Sequence, residues 1–491
     1  NNISNGSYLP ADYDNIWNSS YDLIRSTTYF LARLEQADNL IKNDSKVYGA
    51  EAYFFRAYAY YNLLKNYGGV PLITKVLNLD DEELYSSRAN RVEVADQILS
   101  DLDKAIVDLP NQSELASSDI GRITKGAALA LKSRVALFEG TWQKFHNGND
   151  AKDYLGKAID ASRQVINSAE YELWDERASL SEQNYRHLFL LDSKQTNIAN
   201  LTKADNKEYI LSNRFDLDLR PNNTIIYNGP VRKLADMYLC EDGLPIDKSP
   251  LFVGKQKVTD EYENRDVRMR TLFAIIGQRY WDMQQAPWNR DWSRPDDPST
   301  GYVYGAEFGV RTTSGYGFVK FNGELARNNG PDWPMIRYAE VLLNYAEAVF
   351  EKNEAISDQD LDYSVNKVKE RVGMPKLTNS FISQNGLDTR EEIRRERTIE
   401  LVAEGFRYDD LRRWKTAEVE MIKPLLGVKY VGTQFETDER WAGLNASFDP
   451  DGYIIIEDAS KRQFDPQKHY LKPLPRREVI LNKNLEQNPN W

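Results

Sequence analysis

Three glutamates spaced four residues apart are the first candidates for chemistry in this chain of 491 residues. Glu396, Glu400 and Glu404 lie in the segment 393–414, IRRERTIELVAEGFRYDDLRRW, whose pattern predicts a highly charged helix. The spacing would place all three carboxylates on one face of that helix. Such a row of carboxylates could bind a metal ion or take part in acid–base chemistry.

Structural ion pairing is the alternative explanation of this charged helix, and the sequence favours it. Carboxylate metal sites in helical bundles usually add a Glu-x-x-His pair, whereas the three histidines of this chain are scattered and none has that spacing. Arginine forms bidentate hydrogen bonds with carboxylates. We therefore expect Arg337, Arg397 and Arg407 to pair with the three glutamates.

A second unusual segment, 281–304, is rich in aromatic residues and reads WDMQQAPWNRDWSRPDDPSTGYVY. Its Pro, Asp and Asn content predicts a loop. The rings could pin this loop to the body of the protein. They could instead form a sugar-binding surface, because aromatic rings offer apolar area at low entropic cost beside polar groups that can satisfy hydroxyls.

The bulk composition excludes several classes of function. Apolar residues make up 41% and charged residues 28%, which is typical of a folded soluble protein. The formal charge of −12 argues against nucleic-acid binding and against a polybasic membrane patch. No apolar run approaches the roughly 18–20 residues of a membrane-spanning helix. The single cysteine, Cys240, excludes an intrachain disulfide.

No motif of a known catalytic class supports an enzyme. The sequence contains no nucleophile elbow, no glycine-rich phosphate loop and no Cys/His zinc spacing. The acidic segments 80–83 and 295–297 could hold calcium, but a solvated acidic loop is the favoured interpretation. We expect no catalytic residue, no metal site and no cofactor.

The elements that must position these residues are mostly helices. Hydrophobic periodicity predicts helices over the following segments: 15–42, 50–67, 92–108, 123–145, 151–168, 333–353, 358–372 and 388–415. Between about 170 and 330 the chain becomes rich in loops, with short strand-like runs in EYILSNRF and GYGFVKF. Residues 416–491 are again irregular. Helix pairs around an irregular insert indicate either tetratricopeptide-like stacking or a plain irregular helical domain.

One predicted helix is exceptionally aromatic and ends abruptly. The stretch 51–74, EAYFFRAYAYYNLLKNYGGVPLIT, is apolar around most of its circumference, which predicts a helix buried between neighbours. Gly68 would cap this helix in a left-handed conformation, and Pro71 would prevent its continuation. Residues 70–74 are then expected to be extended.

Several distinctive segments follow one another in a fixed order along most of the chain. The first is an aromatic helix that runs into Tyr-Gly-x-Val-Pro-Leu, and it is carried by Arg56, Ala57, Tyr60, Leu63, Tyr67, Gly68, Val70, Pro71 and Leu72. The others are RYAEVLLNYAEA (337–348), ERTIELVAEGFRYDDLRRW (396–414), the tail YLKPLPRREVILNKNLEQNPNW (470–491), and two weaker interior matches at 237–246 and 263–270. In these segments and their order the chain resembles the SusD/RagB family of outer-membrane nutrient-binding lipoproteins.

The resemblance implies a mostly α, SusD-like α-α superhelix. About four tetratricopeptide-like helix pairs would form the scaffold, with a large irregular insert and a few short strands packed against it. We expect one SusD-like domain over 1–491, in which 1–170 and 333–415 form the scaffold. Residues 171–332 and 416–491 would form the irregular insert and the C-terminal packing region. The signature residues would be mainly structural.

The resemblance also implies a function without catalysis. Family members bind oligosaccharides or polysaccharides at the outer face of the outer membrane and cap a SusC-like TonB-dependent transporter that imports the nutrient. A lipidated N-terminal cysteine anchors them, and this chain lacks such a cysteine near its start. We expect truncation, disorder or processing to explain that difference, and an extracellular, lipid-anchored location.

By the same resemblance, the ligand site would combine the loop near 77–90 with the segment 281–313. The expected stacking residues are Trp288, Trp292, Tyr302 and Tyr85. The expected hydroxyl partners are Asp80, Arg88, Asn289 and Arg311. The alternatives are a peptide-binding lid of a peptide importer, since one branch of the family is linked to peptide uptake, or a tetratricopeptide-type interaction scaffold.

Overall fold

The computed structural model describes residues 4–192, 194, 199–216, 229–275, 313–321, 330–439 and 441–491. The α-helices of these residues are α1 (Asn15–Gln36), α2 (Asn39–Tyr67), α3 (Arg91–Asp108), α4 (Lys125–Phe145), α5 (Ala151–Asn167), α6 (Arg177–Leu180), α7 (Asn184–His187), α8 (Arg232–Met237), α9 (Val267–Leu272), α10 (Tyr338–Asn353), α11 (Asp358–Tyr363), α12 (Val365–Arg371), α13 (Asn379–Gln384), α14 (Thr389–Glu400), α15 (Arg407–Arg413), α16 (Ala417–Glu420), α17 (Gln434–Thr437) and α18 (Arg476–Leu481). The strands are β1 (Tyr209–Asn213), β2 (Phe273–Ala274), β3 (Gly317–Phe318), β4 (Trp333–Arg337), β5 (Leu425–Lys429) and β6 (Tyr453–Glu457).

A stack of long helices forms the larger hydrophobic core. Helices α1 to α5 pack each against the next, α10 packs on α5, and α14 packs on α10. The core between them is lined by small and aromatic side chains, including Tyr60, Tyr67 and Ala136. This architecture confirms the expected mostly α fold of stacked helix pairs. Within the described residues, none of the helices is both long and apolar enough to cross a membrane.

A second hydrophobic core lies in the irregular part of the chain. It gathers Trp174, Phe273 and Tyr316 with residues of the C-terminal region, such as Trp441. The described residues of this region form three antiparallel strand pairs, β1–β4, β2–β3 and β5–β6. The strand-like runs EYILSNRF and GYGFVKF contain β1 and β3, as expected, whereas the β5–β6 pair is not apparent from the sequence.

The aromatic helix α2 ends at Tyr67 as its sequence predicts, but the expected left-handed helical cap is wrong, because Gly68 has a ψ of −128°. Each of the two glycines that follow the helix has a separate reason. Gly68 has a φ of +78°, a backbone conformation that L side chains rarely adopt. At Gly69 a side chain would overlap the carbonyl oxygen of Ala89, because the loop returns there. Pro71 follows, and residues 70–73 leave the helix without joining a described strand. The glycines therefore set the path of the following loop.

Five of the predicted helices are wrong in their bounds because local geometry overrides periodicity. One of them, 50–67, is only the later part of α2, which begins at Asn39. The segment 15–42 breaks before Asp38, whose side chain caps α2 by accepting from the Ile41 N–H at 2.9 Å. The segment 333–353 begins as β4, which pairs with β1. Ser364 (φ −134°, ψ −92°) divides 358–372 into α11 and α12. The segment 388–415 breaks at a turn in which Ala403 has a φ of +61°.

A buried ion network lies between the two cores. Its acidic members are Glu208, Asp266, Glu396, Glu400 and Glu404, and its cationic members are Arg268, Lys320, Arg337, Lys369 and Arg371. Every one of these side chains is at most 4% exposed. Five carboxylates thus face five cations, so the buried charges balance.

Arg337 is the central cation of this network. Its guanidinium donates to Glu208 at 2.7 Å, to Glu400 at 2.6 Å and to both oxygens of Glu404 at 2.8 Å. Glu400 also accepts from Arg371 at 2.6 Å and from Arg268 at 2.9 Å. Burial alone would raise the pKa of the Glu400 carboxyl, but the three guanidinium groups outweigh burial and hold that pKa well below its ordinary value.

The interpretation of the three glutamates as ion-paired residues is confirmed, but two of the three expected partners are wrong. Arg337 does pair with Glu400 and Glu404. Arg397 instead binds Asp410, at 3.1 Å, and Arg407 donates to the Thr398 hydroxyl at 3.0 Å. Arg397 follows Glu396 directly on α14 and therefore lies about 100° around the helix from it. Arg407 lies beyond the end of α14 at Glu400, so the expected continuous face does not exist.

Replacing Arg337 by methionine should destabilise the protein by about 3–5 kcal/mol, because it leaves buried carboxylates without their shared cation. The free energy of unfolding from urea denaturation measures the effect. The matched control is Lys376→Met, which removes a cation from an exposed pair with Asp362 and should cost less than about 1 kcal/mol. Equal effects of the two variants would contradict the structural role of the network.

Because of Glu347 on α10, we expect the free energy of unfolding to decrease as the pH falls through the acid range. Burial alone would raise the pKa of its carboxyl, but Arg413, together with Arg397 and the Trp414 indole, outweighs burial and lowers that pKa to about 2. An unfolded glutamate titrates near 4.3. The depressed pKa therefore stabilises the fold by about 3 kcal/mol above about pH 5, and this contribution is lost as the pH falls towards about 2.

Glu347→Gln should accordingly lower the free energy of unfolding at pH 7 and flatten its decline between about pH 5 and pH 2. Denaturant titrations at several pH values measure both effects. Asp153→Asn is the control, since Asp153 is exposed and its one ion pair among the described residues is with its helix neighbour Lys157. A Glu347→Gln variant with the wild-type pH slope would show that this carboxyl does not carry the effect.

Candidate functional site

The loop between α2 and α3 holds the described part of the predicted ligand site. It starts from a fixed point, because the Tyr60 hydroxyl donates to the Ile73 carbonyl at 3.0 Å and accepts from the Ile73 N–H at 2.7 Å. The Tyr21 hydroxyl donates to the Pro71 carbonyl at 2.9 Å. Beyond this point Asp80 and Tyr85 are exposed to solvent. The loop therefore exposes a carboxylate and an aromatic ring, and hydrogen bonds to Tyr21 and Tyr60 fix its first residues.

Arg88 forms the other end of this loop and makes four hydrogen bonds there. Its guanidinium donates to the carbonyls of Gly69, Tyr67 and Glu486 at 2.7, 2.8 and 3.0 Å, and to Asn488 Oδ1 at 2.8 Å. These bonds join the start of the loop, its end and the C-terminal tail. The Arg88 guanidinium thus lies against the backbone at the two ends of the loop, whereas the side chains of Asp80 and Tyr85 are exposed to solvent.

The C-terminal tail holds the loop in place through side-chain hydrogen bonds to the loop backbone. Asn482 and Asn484 donate their side-chain N–H groups to the carbonyls of Ser86 and Tyr85, at 2.9 and 2.7 Å. Asn488 donates to the carbonyls of Tyr67 and Lys472 at 3.1 and 2.6 Å. These supporting asparagines were not predicted from the sequence. Their only signal was their place in the tail signature.

The exposed face around the loop is partly apolar. Leu79 is 93% exposed and Tyr85 is 56% exposed, and Ile480 and Leu481 of α18 are 68% and 59% exposed. A groove of about 700 Å³ runs between α1, the loop and α18, and polar side chains such as Asp22, Arg25 and Asn78 line it. Mixed apolar and polar surface of this kind suits a ligand with both characters.

The other predicted site residues lie outside the described residues. They are Trp288, Asn289, Trp292, Tyr302 and Arg311, all within 276–312. Of the predicted set, the structure therefore brings together Asp80 and Tyr85 on one exposed loop with Arg88 at its base. Ligand binding by all eight residues stays a prediction.

The carboxylates that first suggested chemistry have other partners, and so does His146. Glu396, Glu400 and Glu404 are buried in the ion network, away from solvent. The His146 ring stacks on Trp142 with a centroid distance of 4.1 Å, and burial lowers the pKa of His146 to about 4. Across the described part of the chain, no group of three or more His, Cys, Asp or Glu side chains could hold a metal ion.

Comparison with known proteins agrees with this architecture. The model of the SusD family matches residues 191–491, which is more than half of the chain. A second family model, described as starch-binding and associating with the outer membrane, matches residues 4–137. Together the two matches cover both the helical first part and the later signatures.

Individual relatives have low sequence identity to this chain but align with most of its length. A SusD-like protein of Formosa agariphila is 26% identical over 84% of this chain and 74% of its own length. A second SusD-like protein of the same organism is 26% identical over 96% of this chain and 79% of its own length.

Solved structures show the same fold. A SusD-like carbohydrate-binding protein from Bacteroides fragilis superposes with a TM-score of 0.74 at 23% identity, over 99% of this chain and 88% of that one. Another SusD-like protein from the same species gives a TM-score of 0.68 at 25% identity, over 97% and 86%. With the family model matched over its larger part, the chain belongs to the SusD family.

Proposed function

We propose that this chain is a non-catalytic surface protein that captures oligosaccharides or polysaccharides and delivers them to a SusC-like TonB-dependent transporter for nutrient uptake. The observation that carries the proposal is the exposed loop between α2 and α3, held on a rigid scaffold in a member of the SusD family. The engagement of the Glu396, Glu400 and Glu404 carboxylates in buried ion pairs supports binding without catalysis.

The chemistry of the exposed loop suits a sugar. A pyranose presents an apolar C–H face and a rim of hydroxyls. Tyr85 offers a half-exposed ring, and Asp80 offers a carboxylate that accepts hydrogen bonds. Trp288, Trp292 and Tyr302 would add further stacking faces, with Asn289, Arg311 and Arg88 as hydroxyl partners. A shallow, wet site of this kind implies an affinity on the order of micromolar or weaker.

The proposed location is the outer face of the outer membrane, with a lipid anchor as the membrane contact. The family description that names starch binding and outer-membrane association supports this location. Capture at this surface would place the ligand beside the transporter that imports it.

Native gels that contain single polysaccharides test the proposal directly. Starch, fructan, xylan, mannan, pectin and mucin glycans form the panel, and bovine serum albumin serves as the non-binding reference. We expect retarded migration in at least one gel. If folded protein migrates normally in every gel but a peptide library is bound, the chain is a peptide-binding lid and the sugar assignment is wrong.

The double substitution Trp288→Ala with Trp292→Ala should abolish the gel shift, because stacking on indole rings supplies much of the sugar-binding energy. Far-ultraviolet circular dichroism should be unchanged. Phe55→Ala is the control, since Phe55 is a partly exposed ring on the scaffold helix α2 and should leave binding intact. Wild-type affinity in the double variant would remove both tryptophans from the site.

A further inference from the structure

A second groove lies between α1, α2 and α3, next to the groove beside the exposed loop. Its volume is about 870 Å³, and it borders the first groove along Thr28 and Tyr29 of α1 and Lys75 and Val76 of the loop. The function proposed above does not use it. Its walls are three scaffold helices and the first residues of the loop, Thr74, Lys75 and Val76, so the packing of the helices sets most of its shape.

The charge of this groove is opposite to that of the protein. Its cationic lining residues are Arg33, Lys42, Lys46, Arg56, Lys75 and Lys104, against the acidic Glu35 and Asp108. The whole chain carries a formal charge of −12. A local excess of positive charge on an acidic protein attracts anionic ligands, because the field of clustered like charges adds in a concave site.

Four of these cations have no acidic partner among the described residues: three lysines, and Arg33, which donates to the Tyr29 hydroxyl and the Gln36 side chain. Among the described residues, Lys42, Lys46 and Lys104 form no ion pair, whereas Lys75 pairs with Glu83. Lys42 and Lys46 stand four residues apart on α2, so their like charges share one helix face and repel each other. A bound anion would relieve this repulsion.

The floor of the groove is built from buried and aromatic side chains. Arg56, only 4% exposed, donates to both oxygens of Asp101 at 2.7 Å, while its remaining amino group has a long contact of 3.4 Å to the Thr28 hydroxyl. The Tyr53 ring lies between Arg56 and Lys104, 5.4 and 5.2 Å from the two charges. Tyr29, 50% exposed, stands at the edge.

We infer that this groove binds the sulfate or carboxylate groups of an acidic oligosaccharide, as a site additional to the exposed loop. The inference rests on the proposed glycan-binding function and specifies an anionic class of ligand. Lysines without partners would bind the anionic groups, and the Tyr29 and Tyr53 rings would contact the sugar. The concave shape between three helices fits a chain molecule better than the flat surface of a membrane.

The test compares charged and neutral forms of the same polymers by isothermal titration calorimetry. Dextran sulfate is paired with dextran, and polygalacturonate with its methyl ester. We expect the wild-type protein to bind the charged forms at least about tenfold more tightly, with affinity falling as sodium chloride rises. The triple variant Lys42→Gln, Lys46→Gln, Lys104→Gln should lose this preference.

A matched control variant distinguishes the effect of the groove lysines from the effect of the total charge of the protein. Lys152→Gln, Lys461→Gln, Lys483→Gln removes the same charge from three exposed lysines elsewhere and should keep the preference. Equal loss in both triple variants, or no preference in the wild type, would overturn the inference. Retained binding of a neutral glycan in the gel panel would then leave the proposed function standing.

A third arm distinguishes a sugar from a lipid surface. Sedimentation with phosphatidylglycerol vesicles should show no binding that depends on the three groove lysines. If the vesicles bind the wild type and not the groove variant, the groove is a membrane contact and the sugar assignment is wrong.

Discussion

The structure depends on one constraint, the balance of ten buried charges between its two hydrophobic cores. Removing a charge from water is expensive, and the cost is offset only when every ion has partners at hydrogen-bond distance. Helix α14 is central to this charge balance because it packs against both cores: Ile393 packs in the larger core and Ile399 in the smaller one. Between those faces Glu396 and Glu400 meet cations from α9, α12 and the end of β4. The two cores are thereby held in one arrangement.

This division of roles explains how one scaffold can serve different ligands. Signature residues such as Arg56, Tyr60 and Arg337 are buried and engaged with other parts of the chain. The exposed loop after α2 has no such constraint beyond its two ends, which Tyr60, Arg88 and the tail asparagines fix. Its sequence can change while its position stays constant. Binding specificity is therefore a property of surface side chains, and fold alone does not determine it.

Much of the fold was predictable because its signals are local. The aromatic helix, its two glycines and the proline exit are encoded in one short stretch, and the order of signatures indicated the family. Apart from Arg337, the partners in the ion network were not predictable, because residues such as Glu208, Lys320 and Glu404 are far apart in sequence and meet only after folding. Helix breaks such as that at Ala403 were missed because periodicity continues across them. At the site, residue type and loop position selected Asp80 and Tyr85, but could not show that Arg88 is engaged with backbone carbonyls.

Hydrogen exchange of the wild type and of Arg337→Met, followed by mass spectrometry, tests most directly whether the ion network joins the two cores. Backbone amides exchange when their region opens, so coupled regions lose protection together. If the network joins the cores, exchange in the variant is faster on both sides, in β1 and α10 and equally in α9 and α14. Faster exchange confined to the few residues around position 337 would contradict it and would show that the cores are held together by other contacts.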